Sequence, residues 1–537
     1  MHSIKKLQCI FFLSSIFYFG LHQLHSQVAG RFLFDTIKLK NWPLIHSFAF
    51  GKYGEYVLML GGRTDGIHEK ESGFENTKSN SNIYLWNTLN DSIIQYKPDS
   101  LNAELTDYLN AANANFIQDS QSLYIMGGYG QSKSGIYKTY PLFLKINFKD
   151  CIERILLNKD ISPTIKYIVS DQFAVAGAQL RIMDSLFYLV GGHKFDGKYS
   201  VDDHSITQKY TDALRIIKFF ESGDTLQYAL IKEITNDAVF HRRDYNVNPI
   251  IDRNGEIKLM VLSGVFQYNV ARAFLNTALI QNQNYEEIFD FEHKYAAYNC
   301  ARIGMFDHTK NEMHQLFFGG MAEYYRDSIN AISRDGYVPF VKSVSSITRK
   351  NDGSFLEYLY PEELPGYFGT NSEFLLNPEI KIIYEDIIDL NSIQNDTTCI
   401  GTIFGGIYNP SEYRNPWQID SAHLTKSNPY HLKVYFIKDK TTASKKIEDH
   451  EDTTEVVLIP NPANKQFRLI FSKELTINSL DLWIQDTQGR MIKTFRFKEL
   501  SNNELTLSTK DLVPQNYSLY LSMNGNRPLK KQLIISR

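Results

Sequence analysis

Cysteine is scarce in this sequence, and its spacing fits no familiar metal or redox motif. Four cysteines occur in 537 residues. No CxxC spacing exists, which excludes a zinc ribbon and a thioredoxin-like site. Cys9 lies in an apolar N-terminal run, so its removal would leave Cys151, Cys300 and Cys399 and allow one disulfide at most. A secreted chain of this length buries enough surface to fold without disulfides.

The sequence also lacks an excess of charge of either sign. The chain has 57 Lys and Arg residues against 60 Asp and Glu residues, a formal net charge of −3. Because nucleic-acid binding needs a strongly basic surface, we expect no nucleic-acid partner. Apolar residues make up 43% of the chain, which is enough for a packed core and excludes wholesale disorder.

Long hydrophobic runs are missing beyond the N-terminus. Residues 7–21 form an apolar run after Lys5 and Lys6, shorter than the roughly 20 residues that a transmembrane helix needs. With the small residue Ser26 behind it, the pattern predicts a secretory signal peptide over residues 1–26; a membrane anchor and a buried strand are the alternatives. Cys9 lies inside the run, which disfavours a lipoprotein. We expect the mature chain not to be an integral membrane protein.

Aromatic residues are plentiful and of the types that favour strands. The chain contains 33 Tyr, 35 Phe and 4 Trp, together 13% of its residues, beside 31 Gly. Tyr and Phe fit the pleated, half-buried surface of a sheet. The composition therefore favours an all-β fold.

A run of large apolar residues that ends in a small pair recurs six times, roughly every 70 residues. The pairs are Gly61-Gly62, Gly127-Gly128, Gly191-Gly192, Ser263-Gly264, Gly319-Gly320 and Gly405-Gly406. An alternating strand precedes most pairs, as in residues 46–50 and 111–116, and an outer strand follows after a polar loop. Four strands per repeat are typical of a propeller blade, and the paired glycines let neighbouring backbones approach closely.

These repeats resemble the kelch and galactose-oxidase type of propeller. The resemblance implies a six-bladed β-propeller over residues 27–440; an array of β-sandwiches is the alternative. Ser263 departs from the pattern, and the sixth repeat is stretched. Residues 32–38 read as a spare outer strand that would complete the sixth blade and hide an exposed edge.

The C-terminal part has a separate pattern. Residues 441–455 are highly charged and lack aromatics, which predicts a linker. Residues 456–537 contain several short strands separated by turns, which suggests a small β-sandwich. The motif residues in this segment are Pro460, Asn461, Pro462, Asp486, Gly489, Arg490 and Lys531.

These motifs resemble the type A C-terminal sorting domain of the type IX secretion system of Bacteroidota. The resemblance implies an immunoglobulin-like sandwich, the type IX secretion machinery as partner, and delivery of the chain outside the cell or to its outer surface. The glycine that usually precedes the tyrosine of the penultimate strand is absent before Tyr517. An adhesive immunoglobulin-like module is the alternative.

The segments after the small pairs are long and aromatic, and in a propeller they emerge on one face. Exposed rings beside Arg and Asp suit recognition of a glycan or a surface protein, because rings stack on apolar surface and polar groups fix orientation. The alternative is that each ring packs beneath its own loop. The candidates are Arg63, Asp65, Tyr129, Tyr137, His193, Tyr268, Tyr324, Tyr325, Arg326, Tyr413, Arg414 and Trp417.

A second candidate set leads into the inner strand of the fourth repeat. Alternation would place Arg242 and Asp244 on one side of that strand and Arg243 on the other. One side would face the central channel, where an Arg–carboxylate pair could bind an acidic ligand. A salt bridge between blades is the alternative.

No metal site, cofactor or catalytic residue is predicted. Asp196, with His193 and with Asp202, Asp203 and His204, lacks an EF-hand or HExxH spacing and reads as a solvated acidic loop. The galactose-oxidase resemblance would require a copper site of two Tyr and two His with a Tyr–Cys cross-link, and Tyr430-His431 is the one tempting pair. The sequence therefore favours an exported propeller that binds a glycan or protein. The alternative is a propeller enzyme acting on carbohydrates, mutarotase-like or lyase-like, which converging His, Arg and Glu in the channel would favour.

Overall fold

The computed structural model describes residues 30–67, 74–199, 206–268, 270–411, 416, 425–438, 456–459, 463–471, 477–486, 490–500, 504–524 and 529–535. The expected signal peptide and the linker at residues 441–455 lie outside the described residues. Within them the chain is all-β, built of many small antiparallel sheets with three short α-helices.

Strand β1 (Gly30–Ile37) comes first, and the chain from residue 30 to 438 contains six repeated sheets, numbered here as units 1 to 6, the last of which includes β1. Unit 1 consists of β2 (Ala49–Tyr53), β3 (Tyr56–Leu60), β4 (Ile83–Asn87) and β5 (Ser92–Tyr96). Next come α1 (Ala103–Tyr108), β6 (Asn115–Gln118), β7 (Ser122–Met126), β8 (Tyr129–Gln131), β9 (Tyr137–Thr139), β10 (Leu142–Asn147), α2 (Phe148–Leu156) and β11 (Ile165–Val169). Strands β6, β7, β10 and β11 form unit 2.

Unit 3 repeats this plan with its own additional hairpin. Its region contains β12 (Gln179–Met183), β13 (Leu186–Val190), β14 (His193–Asp196), β15 (Thr207–Tyr210), β16 (Ala213–Ser222) and β17 (Thr225–Thr235). Strands β12, β13, β16 and β17 form the unit, while β14 and β15 join β8 and β9 in a separate sheet. After α3 (Asp237–Phe240), unit 4 consists of β18 (Asn246–Ile251), β19 (Ile257–Leu262), β20 (Thr277–Gln281) and β21 (Asn284–Ile288).

Unit 5 is part of a larger sheet, and unit 6 includes the N-terminal strand β1. The segments are β22 (Ala301–Asp307), β23 (Glu312–Phe318), β24 (Tyr324–Arg326), β25 (Ile332–Arg334), β26 (Ser343–Arg349), β27 (Phe355–Glu363), β28 (Tyr367–Thr370), β29 (Glu373–Leu376), β30 (Ile382–Tyr384), β31 (Ile387–Asp389), β32 (Thr397–Phe404), β33 (Ile407–Asn409), β34 (Lys426–Ser427) and β35 (His431–Lys438). Unit 5 is β22, β23, β26 and β27, extended at β22 by β31 and β30; unit 6 is β29, β32, β35 and β1.

The C-terminal segment forms two antiparallel sheets around one core of its own. Its strands are β36 (Val456–Ile459), β37 (Gln466–Phe471), β38 (Ile477–Gln485), β39 (Met491–Leu500), β40 (Glu504–Ser508), β41 (Asn516–Met523) and β42 (Leu529–Ile534). Strands β36, β37 and β40 form one sheet, and β39, β38, β41 and β42 form the other. Buried Phe467, Leu482 and Leu519 belong to the shared core.

The small pairs lie where successive units touch. The second glycine donates its backbone N–H to a carbonyl of the next unit, as Gly62 does to Ala111 at 2.8 Å and Gly128 does to Val175 at 3.0 Å. A Cβ on Gly127 would come within 1.8 Å of the carbonyl oxygen of Val175. Only glycine permits this approach, which is the role that the sequence pattern predicted.

Strand β1 completes unit 6, as the sequence predicted for residues 32–38. It pairs antiparallel with β35 over its whole length, with Phe32 opposite Phe436. Unit 6 also contacts unit 1, because the ring of Phe404 lies 6.0 Å from that of Phe48 and 5.2 Å from that of Phe50. The first and last units are therefore neighbours.

The first two inner strands begin later than the sequence predicted. We expected them at residues 46–50 and 111–116, whereas β2 begins at Ala49 and β6 at Asn115. Ser47 and Asn113 have φ angles of 54° and 53°, which interrupt an extended strand. Alternation of residue types does not reveal such a backbone reversal.

Candidate functional site

Six residues, one just before each inner strand, form a cycle of hydrogen bonds. The backbone N–H of each donates to the carbonyl of the one before it at 2.8–3.0 Å, from Asn113 through to Asn371. The side-chain amide of Asn371 then donates to the hydroxyl of Ser47 at 3.1 Å. We call this set the polar ring; its members are Ser47, Asn113, Gly177, Asp244, Asn299 and Asn371.

The residue types of the polar ring follow from its backbone conformation. Five members have positive φ, between 49° for Asn371 and 64° for Gly177. Gly, Asn and Asp tolerate this left-handed region best, because their side chains are absent or hydrogen-bond locally. Four members, Ser47, Asn113, Asp244 and Asn371, line two different cavities, so the ring lies between them.

The small cavity, of about 60 Å³, collects three of the residues expected on the loop face. Arg63, Tyr129 and His193 line it together with Arg243 and Asp244. Each of the first three directly follows a small pair in the sequence. These side chains are buried, so they surround an internal polar space and do not form an exposed recognition surface.

Asp65 anchors Arg63 at the edge of this cavity. The guanidinium of Arg63 donates from Nε to Asp65 Oδ1 at 3.0 Å and from Nη2 to Oδ2 at 2.5 Å. Burial alone would raise the pKa of Asp65, but hydrogen bonds with His46 and Arg63 and the charge of Arg63 lower it to about 2. Arg63 also lies over the ring of Phe74 at 4.5 Å. The two hydrogen bonds of the Arg63–Asp65 pair therefore hold both side chains in position.

Tyr129 and His193 are held on paired strands. The hydroxyl of Tyr129 donates to the carbonyl of Gly197 at 2.7 Å and accepts from the backbone N–H of Tyr199 at 3.0 Å. The Nδ1 atom of His193 lies 2.8 Å from Nε2 of Gln208. Burial, together with the nearby charge of Arg243, holds the pKa of His193 well below its ordinary value, so the imidazole is neutral.

The structure separates the three channel candidates. Arg242 is completely buried inside unit 4, where its guanidinium donates to the carbonyls of Val239 at 2.7 Å, Ser263 at 2.6 Å and Asn276 at 3.0 Å. Arg243 and Asp244 instead both line the small cavity.

The expected grouping of Arg242 with Asp244 is therefore not found. Asp244 has a φ of 53°, which breaks the alternation of a strand. Burial raises the pKa of Asp244, against the opposing charge of Arg243 and a hydrogen bond with Tyr298. The guanidinium of Arg243 lies over the ring of Phe266 at 4.5 Å.

The remaining loop candidates do not converge on either cavity. Tyr137 stacks on Tyr129 with a centroid distance of 6.2 Å. Tyr268 is exposed, Tyr324 lies beneath Arg334 at 5.3 Å, and Tyr325 and Arg326 border a separate pocket of about 40 Å³. Tyr413, Arg414 and Trp417 lie outside the described residues.

Two residues that the sequence offered as candidate metal ligands, Asp196 and His431, contact other side chains. Asp196 forms an ion pair with Lys194 at 3.6 Å, while Asp202, Asp203 and His204 lie outside the described residues. His431 is buried, with its ring 4.0 Å from that of Trp42. In the part of the chain that the structure describes, no group of three or more His, Cys, Asp and Glu side chains is placed to hold a metal ion.

A much larger cavity, of about 780 Å³, lies on the other side of the polar ring. It is bordered by the inner strands of several units and is large enough for a small-molecule ligand. Rings of Phe50, Phe116 and Phe374 contribute apolar surface to it. Its polar groups include the amides Asn115, Gln118, Gln179 and Asn377 and the charged side chains Lys52, Asp119, Arg181, Arg302, Glu373, Glu385 and Asp386.

Two carboxyl groups of this large cavity have strongly perturbed acidity. Burial raises the pKa of Glu373 to about 7, although the charges of Arg302 and Arg181 oppose the shift. Burial and the charge of Asp386 likewise raise the pKa of Glu385 to about 7. Both groups can therefore gain or lose a proton near neutral pH.

Glu385 and Asp386 are delivered by an insertion between β29 and β32, which we call the unit 6 insert (residues 377–396). Its strand β31 pairs in parallel with β22, with Ile387 opposite Gly304. A Cβ on Gly304 would lie 3.0 Å from Ile387 Cγ1, so glycine permits this pairing. The hydroxyl of Tyr384 donates to the carbonyl of Ile182 in unit 3 at 3.2 Å. The insert thus reaches from unit 5 to unit 3.

Sequence reasoning missed the charged groups of the large cavity. Arg181 and Arg302 follow polar-ring residues by three or four positions, within inner strands whose other residues are mostly small or apolar. The sequence offered one signal for these two residues, a charged side chain within an inner strand. Glu385 had no signal, because its position depends on how the unit 6 insert folds.

In the C-terminal segment, two sorting-motif residues are directly joined. Asp486 accepts hydrogen bonds from the backbone N–H of Arg490 at 3.0 Å and from its Nε at 2.7 Å. Lys531 lies on β42 opposite Leu519. Pro460, Asn461, Pro462 and Gly489 lie outside the described residues.

Residues 457–536 match the family described as secretion system C-terminal sorting domain. The chain is directed through the type IX secretion system to the cell surface or the extracellular space. The sorting domain implies interaction with the type IX machinery. Among the described residues, no helix has both the length and the apolar character needed to cross a membrane.

No curated protein matches this chain. Among solved structures, it is similar to a fungal alcohol oxidase of the AA5 family in complex with copper. The two share 10% identity, with 95% of this chain and 100% of the oxidase covered, and the TM-score is 0.38. A likeness this low does not bear on the chemistry of either cavity.

Proposed function

We propose that this chain is an exported six-bladed, kelch-like β-propeller that binds a glycan in the large cavity. Its organisation would be a signal peptide at residues 1–26, the propeller at 27–440, a linker at 441–455 and an immunoglobulin-like sorting domain at 456–537. The ring of six units is supported by the hydrogen-bond cycle of the polar ring and by the contact of Phe404 with Phe48. The pairing of β1 with β35 supports its closure.

The observation that carries the binding proposal is the composition of the large cavity. Phenyl rings of Phe50, Phe116 and Phe374 offer faces on which the apolar side of a sugar ring can stack. Amides such as Gln118 and Gln179 offer donors and acceptors for hydroxyl groups. A volume of about 780 Å³ suits a short glycan better than a protein surface. A protein partner would have to use the opposite side, where Tyr268 is exposed.

A cavity-filling variant tests this proposal. Gln179→Trp would place a bulky ring in the large cavity, whereas Gln227→Trp changes an exposed residue of β17 and serves as a matched control. On a glycan array, and by saturation-transfer NMR with any glycan retained there, we expect Gln179→Trp to abolish binding and Gln227→Trp to preserve it. A blank array, or binding that survives Gln179→Trp, would contradict the proposal.

A propeller enzyme acting on carbohydrates is the second candidate. It is favoured by Glu373 and Glu385, two carboxyl groups with pKa values of about 7 beside two arginines in one cavity. Such groups are suited to proton transfer at neutral pH. One-dimensional NMR of a bound glycan over time would reveal anomer exchange or a new product. Glu373→Gln and Glu385→Gln should stop that change while retaining binding; a glycan that stays unchanged leaves binding as the function.

A further inference from the structure

Arg302 presents an unsatisfied guanidinium to the large cavity. Its Nε atom is buried and has no hydrogen-bond partner among the described residues. Its Nη1 atom makes two long contacts, 3.3 Å to Asn299 Oδ1 and 3.4 Å to the carbonyl of Cys300. Typical N–H···O bonds are about 2.9 Å, so these contacts are weak. A guanidinium has five N–H donors, and most of those of Arg302 remain available.

The carboxyl groups of the cavity do not neutralise this charge directly. Glu373, Glu385 and Asp386 line the same space, yet within the described residues Arg302 forms no ion pair with any of them. Glu373 and Glu385 are only partly ionised at neutral pH. Arg302 is half-buried, and the cost lies at its buried Nε donor, which an anion reaching the guanidinium would relieve.

Other positive charge surrounds the same space. Arg181 lines the cavity, with Nε held by the carbonyl of Val247 at 2.6 Å, while its Nη1 and Nη2 atoms make only long contacts of 3.4 Å. Lys52 also borders the cavity. Two planar guanidinium groups with free donors match the two oxygens of a carboxylate better than any neutral sugar hydroxyl.

We infer that the large cavity takes a sugar acid, whose carboxylate is received by Arg302 with Arg181 beside it. This inference rests on the proposed glycan-binding function and deepens it. The phenyl faces of Phe50 and Phe116 would contact the sugar ring, while the guanidinium groups select the acid. Specificity then comes from leaving Arg302 unpaired when a neutral sugar enters, because an unsatisfied buried donor penalises that complex.

Matched sugar pairs test the inference on the full chain. Titration calorimetry compares galacturonate with galactose and glucuronate with glucose, and glutarate serves as a carboxylate without a sugar. We expect at least one uronate to bind at least about tenfold tighter than its neutral partner, the effect of one charge-assisted hydrogen bond. Equal binding of acid and neutral sugars overturns the inference and leaves the proposed function standing.

The other outcomes separate the two proposals. Binding of glutarate without binding of any sugar contradicts glycan recognition and supports the anion site alone. Absence of binding by every probe contradicts both.

Variants of Arg302 assign the effect to this residue. Arg302→Gln should remove the preference for the uronate. Arg302→Lys keeps the positive charge but loses the paired N–H donors of the guanidinium, so it should keep part of that preference. Arg272→Gln, at an exposed arginine outside the cavity, is the control and should bind like the parent chain. A preference that persists in Arg302→Gln with an unchanged melting temperature would contradict the assignment.

Discussion

The side-chain amide of Asn371 donates a hydrogen bond of 3.1 Å to the hydroxyl of Ser47, which lies 324 positions earlier in the chain. This bond joins the sixth unit to the first and completes the polar ring. The hydroxyl of Ser47 also contacts Nδ1 of His46 at 2.9 Å. Within the polar ring, the junction between the sixth and first units therefore uses a side-chain hydrogen bond, whereas the other five junctions use a backbone N–H.

Removing the hydrogen bond between Asn371 and Ser47 should lower the stability of the six units. We expect Ser47→Ala and Asn371→Ala each to lower stability by about 1–2 kcal/mol, the usual cost of losing one partner of a buried hydrogen bond. The double variant should cost less than the sum of the two, since they remove the same bond. Thermal unfolding of the four proteins measures this coupling, and strictly additive losses would show that the bond contributes nothing.

Arg242 should prove structural. Its guanidinium satisfies three buried carbonyls of unit 4 and its neighbouring segments, so Arg242→Leu would leave them without donors. We expect a loss of about 3–5 kcal/mol, as for other buried charged networks that lose a partner. Differential scanning fluorimetry compares this variant with Arg272→Leu at an exposed site. A parent-like melting temperature for Arg242→Leu would refute this role.

Stability should fall as the pH rises through neutrality. The pKa of Glu373 rises from 4.5 to about 7 on folding, and that of Glu385 does the same. The protonated carboxyl groups favour the folded state, so their contribution is full below about pH 4.5 and is lost as the pH passes about 7. The other titratable or charged groups that border this cavity are Arg181, Arg302, Lys52, Asp119, Asp244 and Asp386.

Melting temperatures measured between pH 5 and 8.5 test this dependence. Glu373→Gln and Glu385→Gln should each flatten the decline, because glutamine stays neutral throughout. Glu104→Gln, at an exposed residue of α1, should leave the decline unchanged. A parent chain whose melting temperature is constant or rises over this range would contradict the raised pKa values of the two carboxyl groups.

Export should depend on the contact between Asp486 and Arg490. Loss of the Asp486 carboxylate removes two hydrogen bonds to Arg490. In a host with a type IX system, we expect Asp486→Ala to reduce the exported fraction severalfold and truncation after residue 455 to abolish it. Immunoblots of medium, surface and periplasm measure the distribution, with Asp511→Ala, at an exposed ion pair, as the control. Full export of the truncated chain would disprove the sorting role.

The repeat pattern predicted much of the architecture. The small pairs identified six repeats, because most pairs need a close backbone approach that glycine permits, as Gly127 shows against Val175; Ser263 replaces the first glycine in the fourth pair. The prediction that residues 32–38 form a spare outer strand of the sixth repeat agrees with the pairing of β1 with β35. Both features can be recognised from a few neighbouring residues, although the contacts that they form join distant parts of the chain.

The cavities were less predictable, because they depend on backbone reversals and on long-range placement. The positive φ of Asp244 turns its side chain to the same cavity as Arg243, which alternation does not allow. Tyr129 and His193 lie on paired strands that enclose them, although their sequence suggested exposed loops. Glu373 and Glu385 line the same cavity only after the unit 6 insert has folded across from unit 5.

The pairing of β1 with β35 also constrains the order in which the chain can be assembled. Strand β1 is made first, yet its partner is synthesised about 400 residues later, so this contact is formed late in folding. Until then β1 offers a bare strand edge, which invites pairing with other chains. The sorting domain is made after β35. A chain that displays this domain to the secretion machinery therefore already holds every segment needed to close its ring.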